Sequence, residues 1–94
     1  MIEYIYDAIK AAPGSAVTVS AKISDNEGNP ITEGISFFLH DKEEKVIAEI
    51  EGEYFEDTWF FTIPAKVTEG LRGRYWYCIR KGEEHLCFMK PFYL

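Results

Sequence analysis

Hydrophobic and polar positions alternate with a period of two over most of this chain, and that pattern predicts strands. The clearest case covers residues 16–24, where Val17, Val19, Ala21 and Ile23 take one face and Thr18, Ser20, Lys22 and Ser24 the other. Residues 25–30, Asp-Asn-Glu-Gly-Asn-Pro, then form a turn: Gly28 or Asn29 can adopt positive φ, and Pro30 opens the next segment. Residues 35–40 predict a strand with Ile35, Phe37 and Leu39 inward, and after a charged turn at 41–45 a weaker edge strand covers 45–51. Residues 54–63 read as one strand with Trp59, Phe61 and Ile63 inward and Thr58, Phe60 and Thr62 outward. Pro64 closes it, having no N–H for a sheet ladder. A connection at 66–70 leads to a strand through 71–79, and residues 84–90 return as its hairpin partner. Helix signals are nearly absent. Residues 6–12 read either as a short helix stopped by Pro13-Gly14 or as an extended edge segment.

The strand through 71–79 stands apart from the others. Tyr75, Tyr77 and Ile79 make an ordinary core face, but the opposite face holds Arg74, Trp76, Cys78 and Arg80 where a two-layer domain meets water. A strand that is apolar on both faces is either covered on both or built to meet a partner.

About seven short strands, with turn signals about every 8–12 residues, predict an all-β immunoglobulin-like sandwich of antiparallel strands rather than a small barrel. Its 94 residues make one domain, 1–94, with residues 1–12 as an edge strand or a partner-contacting arm. In such folds a tyrosine near the start of strand F closes the E–F corner through a hydrogen bond to upstream backbone, and an inward cysteine follows two residues later. Gly73 and Tyr75 fit that corner, Tyr77 stands at the cysteine position, and Trp59 is in phase with the core. Cys78 is out of phase, so the inter-sheet disulfide of antibody domains is absent.

Composition narrows the function. A hydrophobic share of 47% with 16% aromatic residues excludes disorder. No apolar run approaches the ~18 residues of a membrane span, and the first residues lack the basic flank and apolar stretch of a signal peptide, so a cytoplasmic origin is expected. A net charge of −6 argues against nucleic acid as a partner, since phosphate binding needs a basic stripe.

Cys78 and Cys87 are too few for a disulfide scaffold and lack metal-ligand spacing. With Gly82-Glu83 as a two-residue turn, Lys81 faces Glu84, Arg80 faces His85, Ile79 faces Leu86, and Cys78 faces Cys87, with Cα atoms ~4.5 Å apart. That distance admits a disulfide. A reduced pair packed as small hydrophobes is the reading that suits a cytoplasmic protein.

No catalytic set assembles, and no metal or cofactor is expected. His40 and His85 sit at strand ends beside charged turns and read as solvated. The serines lack a base in any recognisable motif. The Asp25 loop lacks the spacing and distal glutamate of a calcium loop and reads as a hairpin turn. Glu49, Glu51, Glu53, Glu56 and Asp57 surround Gly52 and read as a wet rim rather than a glycosidase pair.

Two resemblances emerge from the placed strands. Residues 17–31, a strand running into Asp25-Asn26-Glu27-Gly28-Asn29-Pro30, resemble the opening of bacterial Ig-like modules. Trp59-Phe60-Phe61-Thr62-Ile63-Pro64, followed by Thr68-Glu69-Gly70-Leu71-Arg72-Gly73-Arg74-Tyr75-Trp76-Tyr77, is similar to small Ig-like virion proteins of tailed bacteriophages. The N-terminal domain of phage baseplate upper proteins has a comparable pattern. This resemblance implies a non-enzymatic building block: a head decoration, a neck or tail component, or a fibre or baseplate adaptor. It would assemble in the host cytoplasm, contact other virion proteins and reside in the virion in multiple copies, as a homo-oligomer or larger assembly. The chain departs from baseplate upper proteins in length, which continue into long receptor-oriented regions. The expected contact surface is Trp76, Cys78, Arg80, Cys87 and Met89, joined by Phe38 and Phe60 if their strands share that sheet. The rival expectation is a carbohydrate-binding or cell-surface recognition module that stacks sugars on exposed aromatics.

Overall fold

The period-two pattern condenses into nine short strands and one helical turn among the residues that a computed structural model describes, 2–4 and 9–94, with side chains from Lys10 onward except Cys87 and Phe88. In chain order these are β1 (Ile2–Tyr4), β2 (Ile9–Lys10), β3 (Val17–Ile23), β4 (Ile35–His40), β5 (Val46–Glu51), β6 (Glu53–Phe55), β7 (Thr58–Ile63), α1 (Ala65–Thr68), β8 (Arg74–Lys81) and β9 (Glu84–Tyr93). One sheet has the order β1-β3-β7-β6 and the other β2-β9-β8-β4-β5. In immunoglobulin lettering these are A-B-E-D opposite G-F-C, with β5 added beside C as in variable-type domains. The N-terminal segment divides between the sheets, β1 antiparallel to β3 and β2 parallel to β9. All other pairings between these strands are antiparallel. The architecture is an Ig-like β-sandwich.

The core lies between the inner faces. Val19, Ala21 and Ile23 from β3 and Trp59, Phe61 and Ile63 from β7 meet Ile35, Phe37 and Leu39 from β4, Tyr77 and Ile79 from β8, and Phe92 from β9. Phe37 sits at the hub. Its ring stacks on Tyr77 of the neighbouring strand at 5.1 Å and 14°, meets Phe92 edge-on at 6.4 Å, and reaches Phe61 of the opposite sheet at 5.8 Å. Such pairs add about 0.5–1.5 kcal/mol each beyond the area they bury.

Residues 54–63 are not one strand. β6 and β7 form a tight hairpin in which Phe55 faces Thr58, and the two turn residues, Glu56 (φ 48°) and Asp57 (φ 65°), are both left-handed. This is the pattern of a type I′ turn, which normally advertises itself as Asn-Gly; Glu-Asp carries no such signal. The Tyr54 hydroxyl donates to the Asp57 carboxylate at 3.0 Å across the turn.

Gly52 is the corner where the chain leaves the edge of one sheet, β5, for the edge of the other, β6. Its φ is unexceptional and its requirement is space: a Cβ there would lie 2.5 Å from Trp59 Cε3 and 2.7 Å from Phe61 Cε1. The connection at 66–70 begins as a helical turn, α1, opened by Pro64. Within it the buried Thr68 hydroxyl accepts the Gly14 N–H (3.0 Å) and has its one hydrogen within reach of two acceptors, the Ser15 carbonyl (2.8 Å) and the Ala65 carbonyl (3.1 Å), tying the entry to β3 onto the helix.

Two turns share one device. Asp25 Oδ1 accepts the N–H groups of Glu27 and Asn29, and Asp41 Oδ1 those of Glu43 and Lys45. In each, the fourth residue is left-handed, Gly28 in the first and Glu44 in the second. The Asn29 and Lys45 N–H groups foremost hold the two carboxyls below their ordinary value of 3.8.

Two outcomes follow from this packing. Gly52→Ala is expected to destabilise the domain by about 1–3 kcal/mol through overpacking against Trp59 and Phe61, read from the urea midpoint. Because Asp25 and Asp41 have depressed values in the folded chain, the unfolded chain takes up those protons first. Their stabilisation is complete above 3.8 and is lost as pH falls below it through the folded values. A D25N/D41N variant should therefore lose less Tm than the parent on acidification from about pH 5 to about pH 2; parallel curves would contradict this.

Candidate functional site

The outer face of the five-stranded sheet is built by register. With Tyr77 and Ile79 held in the core, alternation turns Arg74, Trp76, Cys78 and Arg80 outward, beside Ser36, Phe38 and His40 of β4. Ser36 pairs with Arg80, Phe38 with Cys78, and His40 with Trp76. The Arg74 guanidinium lies 4.3 Å from the Trp76 ring centroid, and that of Arg80 lies 4.2 Å from the Phe38 centroid. Each outward aromatic thus carries a cation on one of its faces, which leaves the rings half-buried instead of bare.

His40 departs from the expectation of a solvated strand-end histidine: it is 3% exposed. A register irregularity between Leu39 and His40 and the tight turn after β4 bring backbone over the ring. Nδ1 lies 3.1 Å from the Glu44 carbonyl oxygen and Nε2 lies 3.2 Å from Cys78 Sγ. A carbonyl can only accept, so Nδ1 carries the hydrogen in that bond, and Nε2 faces the Cys78 sulfur. His85 is exposed, as its place beside the hairpin turn implies.

Cys78, Arg80 and Met89 come together, with His40, Glu44 and His85, around a cleft of about 320 Å³. Trp76 lies further along the same strand, opposite Pro91. Arg80 Nε is buried and has no hydrogen-bond partner among the described residues. Phe60 belongs to the other sheet and takes no part in this face.

The cross-strand cysteine pairing does not form. The turn begins as counted, with Lys81 opposite Glu84 and Arg80 opposite His85, and Gly82 at φ 61° supplies the left-handed first position of a type II′ turn. The ladder then absorbs an extra β9 residue twice, so that Ile79 faces Cys87 and Tyr77 faces Lys90. Cys87 therefore lies opposite a core residue, and its side chain is outside the described residues. Cys78 itself is buried.

The corner residues occupy the start of β8. Gly73, at φ 97°, exchanges two backbone hydrogen bonds with Leu94, both 2.8 Å. The Tyr75 hydroxyl accepts the Arg72 N–H at 3.0 Å, the geometry of a tyrosine corner. Tyr77 is fully buried, and Trp59 donates its indole N–H to the Ile31 carbonyl at 2.6 Å. Sequence reasoning missed Thr68 and His40, both polar and both buried; nothing in their neighbours' apolar pattern marks them.

Among the described residues no three His, Cys, Asp or Glu side chains converge as a metal site, and no helix is long and apolar enough to cross a membrane.

Fold and face together define a small β-sandwich module that distantly resembles an Ig-like domain. No protein-family model matches the chain, and no curated protein does. Among solved structures, trypsin-activated alpha-2-macroglobulin from Escherichia coli is similar, with a TM-score of 0.68 at 15% identity over 99% of this chain. The match spans 6% of that protein's chain, so the likeness is to one small part of it and concerns the fold alone.

Tyr75→Phe should keep the fold and cost about 1 kcal/mol, the net worth of one hydrogen bond, by chemical denaturation. An unchanged stability would remove the corner bond from the structural account.

Proposed function

We propose that this chain is a non-enzymatic structural module that works through protein–protein contact, with the outer face of the five-stranded sheet as its contact surface. The observation that carries this reading is the composition of that face: Trp76, Phe38, Met89 and two arginines on a sheet whose opposite face already supplies the core. Tryptophan, methionine and arginine are the residues that interface centres favour. Arginines parked over the aromatics shield apolar area in the free protein and can move aside or pair with carboxylates when a partner arrives. The face uses no residue that the core needs.

At the finer level, the module is a virion component of a tailed phage, assembled in multiple copies in the host cytoplasm as a head decoration, a neck or tail part, or a fibre or baseplate adaptor. The similarity of residues 59–64 and 68–77 to small phage Ig-like proteins supports this reading. A carbohydrate-binding role is less well supported, because stacking a sugar needs a bare ring and Arg74 already occupies one face of Trp76.

Trp76→Ala tests the surface. The variant should keep its circular dichroism spectrum and melt within a few degrees of the parent, while its self-association, followed by light scattering against concentration, weakens by at least about tenfold, as expected for loss of an interface anchor. Unfolding of the variant, unaltered association, or a parent that stays monomeric at every concentration would each contradict contact between copies through this face.

A further inference from the structure

We propose that the open edge of β5 is a strand-addition site for an extended basic segment of another protein, one that alternates cationic and apolar residues. This goes beyond contact through the outer sheet face and does not depend on it.

β5 is the outermost strand of its sheet, and no strand lies beyond it among the described residues. One hydrogen bond fixes which way its backbone groups point. Gly52 donates to the Ile35 carbonyl at 3.0 Å, so alternation along the antiparallel ladder turns the N–H and C=O groups of Gly52, Ile50 and Ala48 toward β4. Those of Glu49 and Glu51 turn to the open side. The side chains of Glu49 and Glu51 are exposed on the outer face, opposite Phe38 and Ser36, while Ala48 and Ile50 pack against the core. At the other end of the strand the exposed Val46 and Ile47 together oppose His40, a bulge that breaks the ladder. Residues 48–52 are thus a short regular run with backbone donors and acceptors facing outward, the template that strand addition uses.

Charge selects the occupant. Residues 46–65 include Glu49, Glu51, Glu53, Glu56 and Asp57 and no lysine or arginine, in a chain of net charge −6. Opposite charges facing each other across a ladder stabilise it, and like charges oppose it. A second copy paired through Glu49 and Glu51 of both chains would set carboxylate against carboxylate. An antiparallel segment reading cation–apolar–cation instead places its cations opposite Glu49 and Glu51 and its apolar residue opposite Ile50. Beyond Glu51 the edge meets a cleft of about 280 Å³ lined by Gly34, Ile35, Ser36, Glu51, Gly52 and Trp59, which gives a further side chain of the docked segment a place to enter.

The test titrates the 15N-labelled protein with the peptide acetyl-(Lys-Val)3-Lys-amide, and with the same peptide N-methylated at either its internal lysine or its valine nitrogens. Amide resonances of residues 47–52 should shift on binding, and the Glu49 and Glu51 amides should exchange with solvent at least about tenfold more slowly. Methylation at lysine, whose N–H groups face β5, should weaken binding by at least about tenfold, and methylation at valine should not. Glu49→Lys with Glu51→Lys should also weaken it about tenfold. Trp76→Ala should bind the peptide as the parent does, which separates this edge from the outer face. Absence of binding, equal effects of the two methylations, indifference to the charge reversal, or shifts centred on Trp76 would each overturn the proposal. Protection of the Glu49 and Glu51 amides that grows with protein concentration in the absence of peptide would overturn it in favour of a second copy.

Discussion

The stacking of Tyr77 on Phe37 is the contact on which the rest of this molecule depends. Their rings lie 5.1 Å apart on neighbouring strands, and Phe37 carries the contact across to Phe61 of the opposite sheet. Strand geometry allows no independent choice for the residues on either side. Once Tyr77 points inward, Trp76 and Cys78 must point outward, and once Phe37 points inward, so must Phe38 and the residues in phase with it. The outer face is therefore the obligatory reverse of the core, and its composition is free to serve something else.

The connections are shaped to preserve that arrangement. Gly52 lets the chain pass from one sheet to the other against Trp59 and Phe61, where a Cβ has no room. Thr68 fastens the entry to β3 onto the helical turn before β8, and the Tyr75 corner closes the same end. The asparate-centred turns at 25–29 and 41–45 tie off two further connections with side-chain acceptors in place of packing. The second also folds over His40 and converts a strand-end residue into a buried one.

Much of the fold was legible because period-two alternation is a local property. The β3 pattern, the turn at 25–30, the edge position of β5 and the closing hairpin all follow from neighbouring residues alone. What was not legible arises where backbone geometry departs from the residue signals that usually accompany it. Glu56-Asp57 makes a left-handed turn without glycine or asparagine, so β6 and β7 read as one strand. One extra β9 residue, absorbed between His85 and Cys87, moves Cys87 from opposite Cys78 to opposite Ile79, and a bulge leaves no mark in composition. The pairing of His40 with Cys78 is a contact between residues 38 positions apart and depends on which strands become neighbours. The residues of the outer face could be named from phase; the cleft among Cys78, Arg80 and Met89 could not, since it depends on the bulged course of β9.

The two tryptophans make that division of faces directly measurable. Trp59 has its indole N–H bonded to the Ile31 carbonyl within the core, whereas Trp76 lies half-exposed on the outer face. Their indole N–H resonances can be followed in a 15N-labelled sample as the protein concentration is raised to the point of association. Contact through the outer face predicts that the Trp76 resonance shifts or broadens while that of Trp59 holds its position. A Trp76 resonance that stays unchanged while association proceeds would contradict it.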